Sequence, residues 1–138
     1  MGRTVDVLGD KWSLLIIRDA FAGVRRFGQF QRGLGVAKNI LSARLRTLVE
    51  AGVLRSEPAS DGSSYREYGL TDEGRKLFDL IVVLRQWGED HALASGDEYV
   101  PLIDRRTGEP LARITCVRPD GSPVLPDETQ LGEPRRMP

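Results

Sequence analysis

The chain has 138 residues, 40% of them hydrophobic and 29% charged, and its formal net charge is zero. That length suits one ordinary domain with an appendage rather than two domains, and its longest apolar run, Leu14-Leu15-Ile16-Ile17, falls far short of the ~20 residues that span a bilayer. With no charged-then-apolar leader either, a cytoplasmic protein without a membrane partner is expected.

The zero balance hides an asymmetry: residues 1–58 hold ten Lys or Arg against five Asp or Glu, and the remainder ten against fifteen. Between Ala20 and Val49 stand Arg25, Arg26, Arg32, Lys38, Arg44 and Arg46 with no acid among them. Nucleic acid is the natural partner of such a strip, and a solvated basic face is the bland alternative.

In chain order, Asp10 to Ala22 reads as a helix that Asp10 caps and Gly23 ends, with Trp12, Leu14, Leu15, Ile16, Ile17 and Phe21 apolar. A helix apolar on most sides is buried by the core and in part by another subunit. Phe27, Phe30 and Leu34 stand at i, i+3 and i+7 of a short second helix, and Gly33-Leu34-Gly35 breaks it. A third helix is expected from Lys38 to Ala51, anchored by Leu41, Leu45 and Leu48, closed by Gly52 and poorly capped at Ala37. Two helices joined by a short glycine-containing turn outline a helix-turn-helix.

Val53 to Pro58 and Tyr65 to Leu70 are strand candidates joined by Ala59-Ser60-Asp61-Gly62-Ser63-Ser64, which gives a hairpin directly after the helix pair. Thr71-Asp72-Glu73 then caps a long helix running to about Leu93, with Leu77, Leu80, Ile81, Leu84 and Trp87 along one stripe wide enough for the core and a partner. After Ser95 come seven of the eight prolines. Strands over Tyr99 to Asp104 and Leu111 to Arg118 around a turn at Arg106-Thr107-Gly108-Glu109 give a small β appendage, and the last dozen residues are expected to be disordered. Thr107-Gly108-Glu109-Pro110 and Asp120-Gly121-Ser122-Pro123 echo one another as turn signals. The expected division is 1–94 for a DNA-binding and dimerisation domain, 95–125 for the appendage and 126–138 for the tail.

The fold class expected is mainly α (α+β): a winged helix-turn-helix with a long C-terminal dimerisation helix. An α-helix fits the major groove of B-form DNA, where position decides which side chains meet base edges. With Leu41 facing the core, the helical step puts Asn39, Ser42, Ala43, Arg46 and Glu50 opposite, with Lys38 on the flank. Asn39, Ser42 and Arg46 are the base-edge candidates, since Asn pairs two-fold with adenine and Arg with guanine. Arg44 falls nearer the core edge, where its fork either reaches a phosphate or braces the helix. Arg25, Arg26 and Gln31 flank the first helix of the pair as backbone contacts, and Ser63, Ser64 and Arg66 offer further ones from the hairpin, where Asp61 opposes phosphate. The dimer-interface candidates are Trp12, Leu77, Leu80, Ile81, Leu84 and Trp87.

An enzyme is not expected: the chain has one His and one Cys, no glycine-rich phosphate loop and no metal-ligand cluster, so no cofactor and no metal are expected. A winged-helix module used only for protein contacts is the other reading, and an acid-free run of thirty residues argues against it.

Leu8-Gly9-Asp10-Lys11-Trp12, Leu15-Ile16-Ile17-Arg18-Asp19, Arg26-Phe27, Ile40 to Arg46, Tyr68 to Gly74 and Arg85-Gln86-Trp87 resemble, in that order, the HxlR-type winged helix-turn-helix regulators. The resemblance covers about residues 3 to 92. It implies a homodimer held by the terminal helices that binds a two-fold symmetric operator on duplex DNA, as repressor or activator, with any small-molecule effector unknown. Many relatives sense electrophiles or oxidants through a cysteine just before the first helix. No such residue stands here, so either the start is truncated or the thiol switch is missing. Cys116 lies outside the matched region and reads as a small half-buried residue in a strand.

Overall fold

The computed structural model describes residues 1–138. Its elements are α1 (Gly2–Leu8), α2 (Lys11–Phe21), α3 (Phe27–Leu34), α4 (Lys38–Glu50), β1 (Leu54–Pro58), β2 (Arg66–Leu70), α5 (Asp72–Arg75) and α6 (Phe78–His91), followed by a 3-10 turn at Pro126–Glu128. The order of helices and hairpin is that of a winged helix-turn-helix. Two compact units divide the chain, Met1–Arg85 and Gln86–Pro138.

In the first unit, α2 packs against α1, α3, α4 and β2. Ile16 and Ile17 of α2 are wholly buried in one cluster with Phe30, Leu41, Leu45, Leu48, Leu54 and Leu70. Full burial of each large apolar side chain contributes about 1.5–3 kcal/mol, enough in sum to hold three helices and a hairpin together. Local signals set the helix ends. The Asp10 carboxylate accepts from the backbone N–H groups of Trp12 (2.9 Å) and Ser13 (3.0 Å) and caps α2. Gly35, at φ 62°, supplies the left-handed residue that ends α3. α4 begins at Ala37 with no side-chain cap, and its start depends on packing instead.

β1 and β2 pair antiparallel, Leu54 opposite Leu70 and Pro58 opposite Arg66. A single bridge between Arg26 and Glu67 and the bond from Tyr68 N–H to the Arg25 carbonyl (2.7 Å) stitch the α2–α3 connection to the free edge of β2. The hairpin is thereby tied to the turn that precedes the helix pair.

Four features differ from the sequence expectation. A helix, α1, precedes Asp10. The long helix expected from Thr71 is interrupted at Lys76-Leu77. There the backbone bonds tighten to Lys76 N–H with the Glu73 carbonyl (3.2 Å) and Leu77 N–H with the Gly74 carbonyl (3.1 Å), before regular bonding resumes. The cause is a tertiary contact: Gly74 runs against the Val53 carbonyl, closer than any side chain would permit, which holds α5 against the start of the hairpin where the helix is interrupted.

In the second unit, the strands expected over Tyr99–Asp104 and Leu111–Arg118 are reduced to two isolated bridges, Ile103 with Pro110 and Val117 with Pro123. Proline lacks the N–H a ladder needs, and prolines at 101, 110, 119 and 123 leave no run long enough to pair. The two echoed turns do form, with Gly108 at φ 75° and Gly121 at φ 85°. Gln86 anchors the segment between them, donating to the Ala112 carbonyl and accepting from Ile114 N–H, each at 2.9 Å. Arg113 pairs with Asp90 at 2.6 Å. Cys116 is exposed rather than half-buried, because no strand forms to cover it.

The same substitution at two glycines should act in opposite directions. Gly74→Ala must displace the Val53 backbone and is expected to cost about 1–3 kcal/mol of stability. Gly88→Ala, inside α6 with nothing within 4 Å of the added carbon, should instead stabilise by about 0.5–1 kcal/mol. Thermal unfolding of the two variants checks both signs.

Candidate nucleic-acid interface

The rotation of α4 follows from its leucines. Leu41, Leu45 and Leu48 are 0%, 1% and 0% exposed, so the opposite face must look outward, and Lys38, Asn39, Ser42, Ala43, Arg46 and Glu50 are all exposed. No ion pair or side-chain hydrogen bond holds Lys38, Asn39, Ser42 or Arg46. Ala43 leaves room on that face for a close approach.

Arg44 is different. It is half-buried, and its Nε lies 3.2 Å from Asp10 Oδ1, which braces α4 against the first turn of α2. Burial alone would raise the Asp10 carboxyl. The Ser13 hydroxyl and N–H, the Arg44 charge and the Trp12 N–H together outweigh that and hold it below its ordinary value.

Arg25 and Arg26 sit in the connection before α3, and both guanidinium groups are engaged by acids of the hairpin. Arg25 reaches Glu57 at 2.8 Å and Glu67 at 3.3 Å. Arg26 pairs with Asp61 and, at 3.4 Å, with Glu67. Glu67 is the hub. It is 5% exposed and also accepts from the N–H and hydroxyl of Ser60. Burial works against its ionisation, but the bonds from Ser60, Arg25 and Arg26 prevail and lower its carboxyl below the usual range. The charge that these two arginines offer to a phosphate is therefore partly committed inside the protein.

A groove of about 770 Å³ runs between α3, the start of α4 and the hairpin, and Arg26, Gln31, Arg32, Lys38, Ser64 and Arg66 contribute to its walls. Gln31 is half-buried and Ser64 exposed. Arg66 is turned along the hairpin, donating to the Ser56 hydroxyl at 2.7 Å and the Ser56 carbonyl at 2.9 Å. Ser63 lies outside the groove, its N–H bonded to Asp61 at 3.0 Å. Arg32 and Tyr65 were not among the contact residues expected from sequence. Arg32 belongs to the acid-free strip and stands on the outer side of α3, so position on the helix could have found it. Tyr65 carries no such signal, because its exposure of 68% depends on how the hairpin turns.

Of the residues expected at a dimer interface, Trp12, Leu77 and Ile81 are half-buried and pack on the protein's own core. The Lys11 ammonium sits 4.4 Å from the centre of the Trp12 ring. Leu80, Leu84 and Trp87 of α6 are exposed, by 39%, 46% and 61%, together with Phe78 and Val83. A groove of about 300 Å³ between α2 and α6 is lined by Leu14, Leu15, Ile81 and Leu84 together with Arg18 and Arg85. No helix is long and apolar enough to cross a membrane.

The family described as HxlR-like helix-turn-helix matches residues 7–95. An HTH-type transcriptional regulator of Mycobacterium tuberculosis is 48% identical over 118 residues, 84% of this chain and 68% of the relative. The crystal structure of PA1607, described as a candidate transcription factor, is 51% identical with a TM-score of 0.91, covering 96% of this chain and 92% of that one. The redox regulator HypR in its reduced form is 29% identical with a TM-score of 0.60, over 66% of this chain and 91% of its own.

The Glu67 hub makes a signed pH prediction. A carboxyl whose folded value is depressed stabilises the fold above its unfolded value, and that contribution is lost as pH falls through the folded one. Glu67→Gln should therefore melt at a lower temperature than the parent at neutral pH. The gap should close as pH drops below the ordinary value of 4.5. Melting temperatures of both proteins across that range check it.

Proposed function

This chain belongs to the HxlR-like helix-turn-helix family and is a DNA-binding transcription regulator, and we propose that it works as a cytoplasmic homodimer reading a two-fold symmetric operator through α4, as repressor or activator. The observation that carries this reading is the outward face of α4, where Lys38, Asn39, Ser42 and Arg46 are exposed and unpartnered on a helix otherwise clamped into the core. Asn39 suits the two-fold pattern of adenine and Arg46 that of guanine, with Ser42 between them. Lys38, Arg32 and Gln31 serve the phosphates, Arg25 and Arg26 add backbone contacts to the extent that their carboxylates release them, and Ser63, Ser64 and Arg66 contribute from the hairpin. Arg44 acts from behind, keeping α4 at its angle to α2.

For the dimer, the support is the exposed apolar row on α6. Leu80, Val83, Leu84 and Trp87 follow one another at helical spacing and are left exposed on a single chain, whereas Phe78, on the other side of α6, meets the Phe21 ring. Contiguous apolar surface of this kind marks an interaction site. Residues 95–125 are taken as an appendage and 126–138 as a tail, both outside the DNA-reading part.

Three measurements test the reading. Affinity for duplex DNA should fall steeply with salt, with a slope near −0.9 in log K against log salt for each phosphate neutralised. Arg46→Ala should cost about 1–3 kcal/mol and relax preference at one base position per half-site; a uniform loss over all sequences would make Arg46 a phosphate contact instead. For the dimer, sedimentation at micromolar concentration should give two chains for the parent and one for Leu84→Asp, a substitution at an already exposed position. A parent that sediments as a monomer contradicts the proposal.

A further inference from the structure

We propose that Asp61 is a built-in occupant of a phosphate site on Arg26, and that a DNA backbone phosphate displaces it when the duplex docks. This rests on the DNA-binding reading above and adds to it a step of exchange at the hairpin.

The geometry is that of a site filled by a surrogate. Arg26 Nη2 meets Asp61 Oδ2 at the surface, the two side chains being 34% and 51% exposed. Arg26 lies on the wall of the groove between α3 and the hairpin, beside Arg32, Lys38 and Arg66. Arg32 and Lys38 have no carboxylate partner, so the cationic wall is neutralised at Arg26 alone. A guanidinium takes a carboxylate and a phosphate with the same fork of donors. The groove is thus complementary to a chain of phosphates, with one position already holding an anion from the protein itself.

The surroundings allow the exchange. Apart from Arg26, Asp61 is held only within its own turn, by the Ser63 N–H at 3.0 Å, and the next residue, Gly62, has φ 76°. Its departure breaks no strand pairing, because the ladder begins at Pro58 and Arg66. Arg26 stays in place without Asp61, since Glu67 keeps a second contact at 3.4 Å and Gln29 Oε1 accepts its backbone N–H at 3.0 Å. Hydrogen bonds from Arg26 and Ser63 keep the Asp61 carboxyl far below its ordinary value, so the surrogate is anionic whenever the protein meets DNA. Exposed ion pairs contribute little to stability, and giving one up for a phosphate is a small loss.

The consequence is a restraint on indiscriminate binding. A polyanion that does not bring a phosphate to Arg26 meets the Asp61 charge instead. Glu67 cannot play this part, because its side chain is only 7% exposed and is also bonded by Ser60, and Glu57 pairs with Arg25 and Arg55 rather than with Arg26.

The experiment measures affinity for a labelled duplex of mixed sequence over a salt series, with the parent, Asp61→Asn, Arg26→Gln and the double variant, each confirmed folded by circular dichroism. Asp61→Asn is expected to bind several-fold more tightly at low salt, with a log–log slope steeper by up to about one ion. In the Arg26→Gln background the same change should do nothing. Should Arg26→Gln fail to fold, Arg26→Lys, which keeps the charge and loses the fork, takes its place, and the gain should shrink. Equal gains in both backgrounds mean that only a bulk charge was removed and overturn the exchange; so does no gain in the parent background. If no variant binds any duplex, the DNA-binding reading itself falls.

Discussion

Leu41, Leu45 and Leu48 share one buried cluster with Ile16, Ile17 and Phe30, and that row of contacts decides which side of α4 can meet anything outside the protein. Every functional statement about α4 depends on it. Were the helix rotated by one residue, a full 100° step, the leucines would leave the core and the polar face would be buried. The Asp10 cap and the Asp10–Arg44 contact secure the same arrangement from the helix ends, joining the first turn of α2 to the middle of α4. A single carboxylate thereby satisfies the start of one helix and braces another.

Charge is distributed according to the same division of labour. The acids missing from residues 20–49 return in the hairpin, where Glu57, Glu67 and Asp61 take up Arg25 and Arg26. Within that strip, the cations left without carboxylate partners are Lys38 and Arg46 on α4 and Arg32 on the outer side of α3, since Arg44 pairs with Asp10. An apparently uniform basic strip therefore separates into a structural part, Arg25, Arg26 and Arg44, and an open part, Arg32, Lys38 and Arg46, of which Arg32 and Lys38 face the groove. The hairpin gains a fixed position in this way, and the positive charge left without a partner stands on the outer faces of α3 and α4.

The helix-turn-helix and the hairpin were legible in sequence because their signals are local. The leucine period of α4, the capping carboxylate at Asp10 and the left-handed glycine at Gly35 each act within a few residues. What escaped reading acts at a distance. The interruption after α5 arises because Gly74 meets the carbonyl of Val53, twenty-one residues earlier, and nothing near Gly74 announces it. The pairing of Arg25 with Glu67 spans 42 positions, so the arginines looked free and the acids looked merely exposed. In residues 95–125 the alternation of apolar residues suggested strands, but the prolines that interrupt it removed the donors, and turns with single bridges formed instead. The outward residues of α4 could be named from rotation alone, and Arg32 could have been found in the same way on α3, whereas Tyr65 entered only when the hairpin fixed the second wall of the groove.

The most direct test of recognition by the outward face of α4 is selection of bound fragments from a pool of random duplex DNA by the purified protein. The expected result is enrichment of an inverted repeat whose half-site centres lie about one helical turn apart, ~10 base pairs, or a whole multiple of it, with an adenine preference that disappears when Asn39→Ala is used for the selection. Enrichment of no sequence, or of a single asymmetric motif that Asn39→Ala selects equally well, would contradict it.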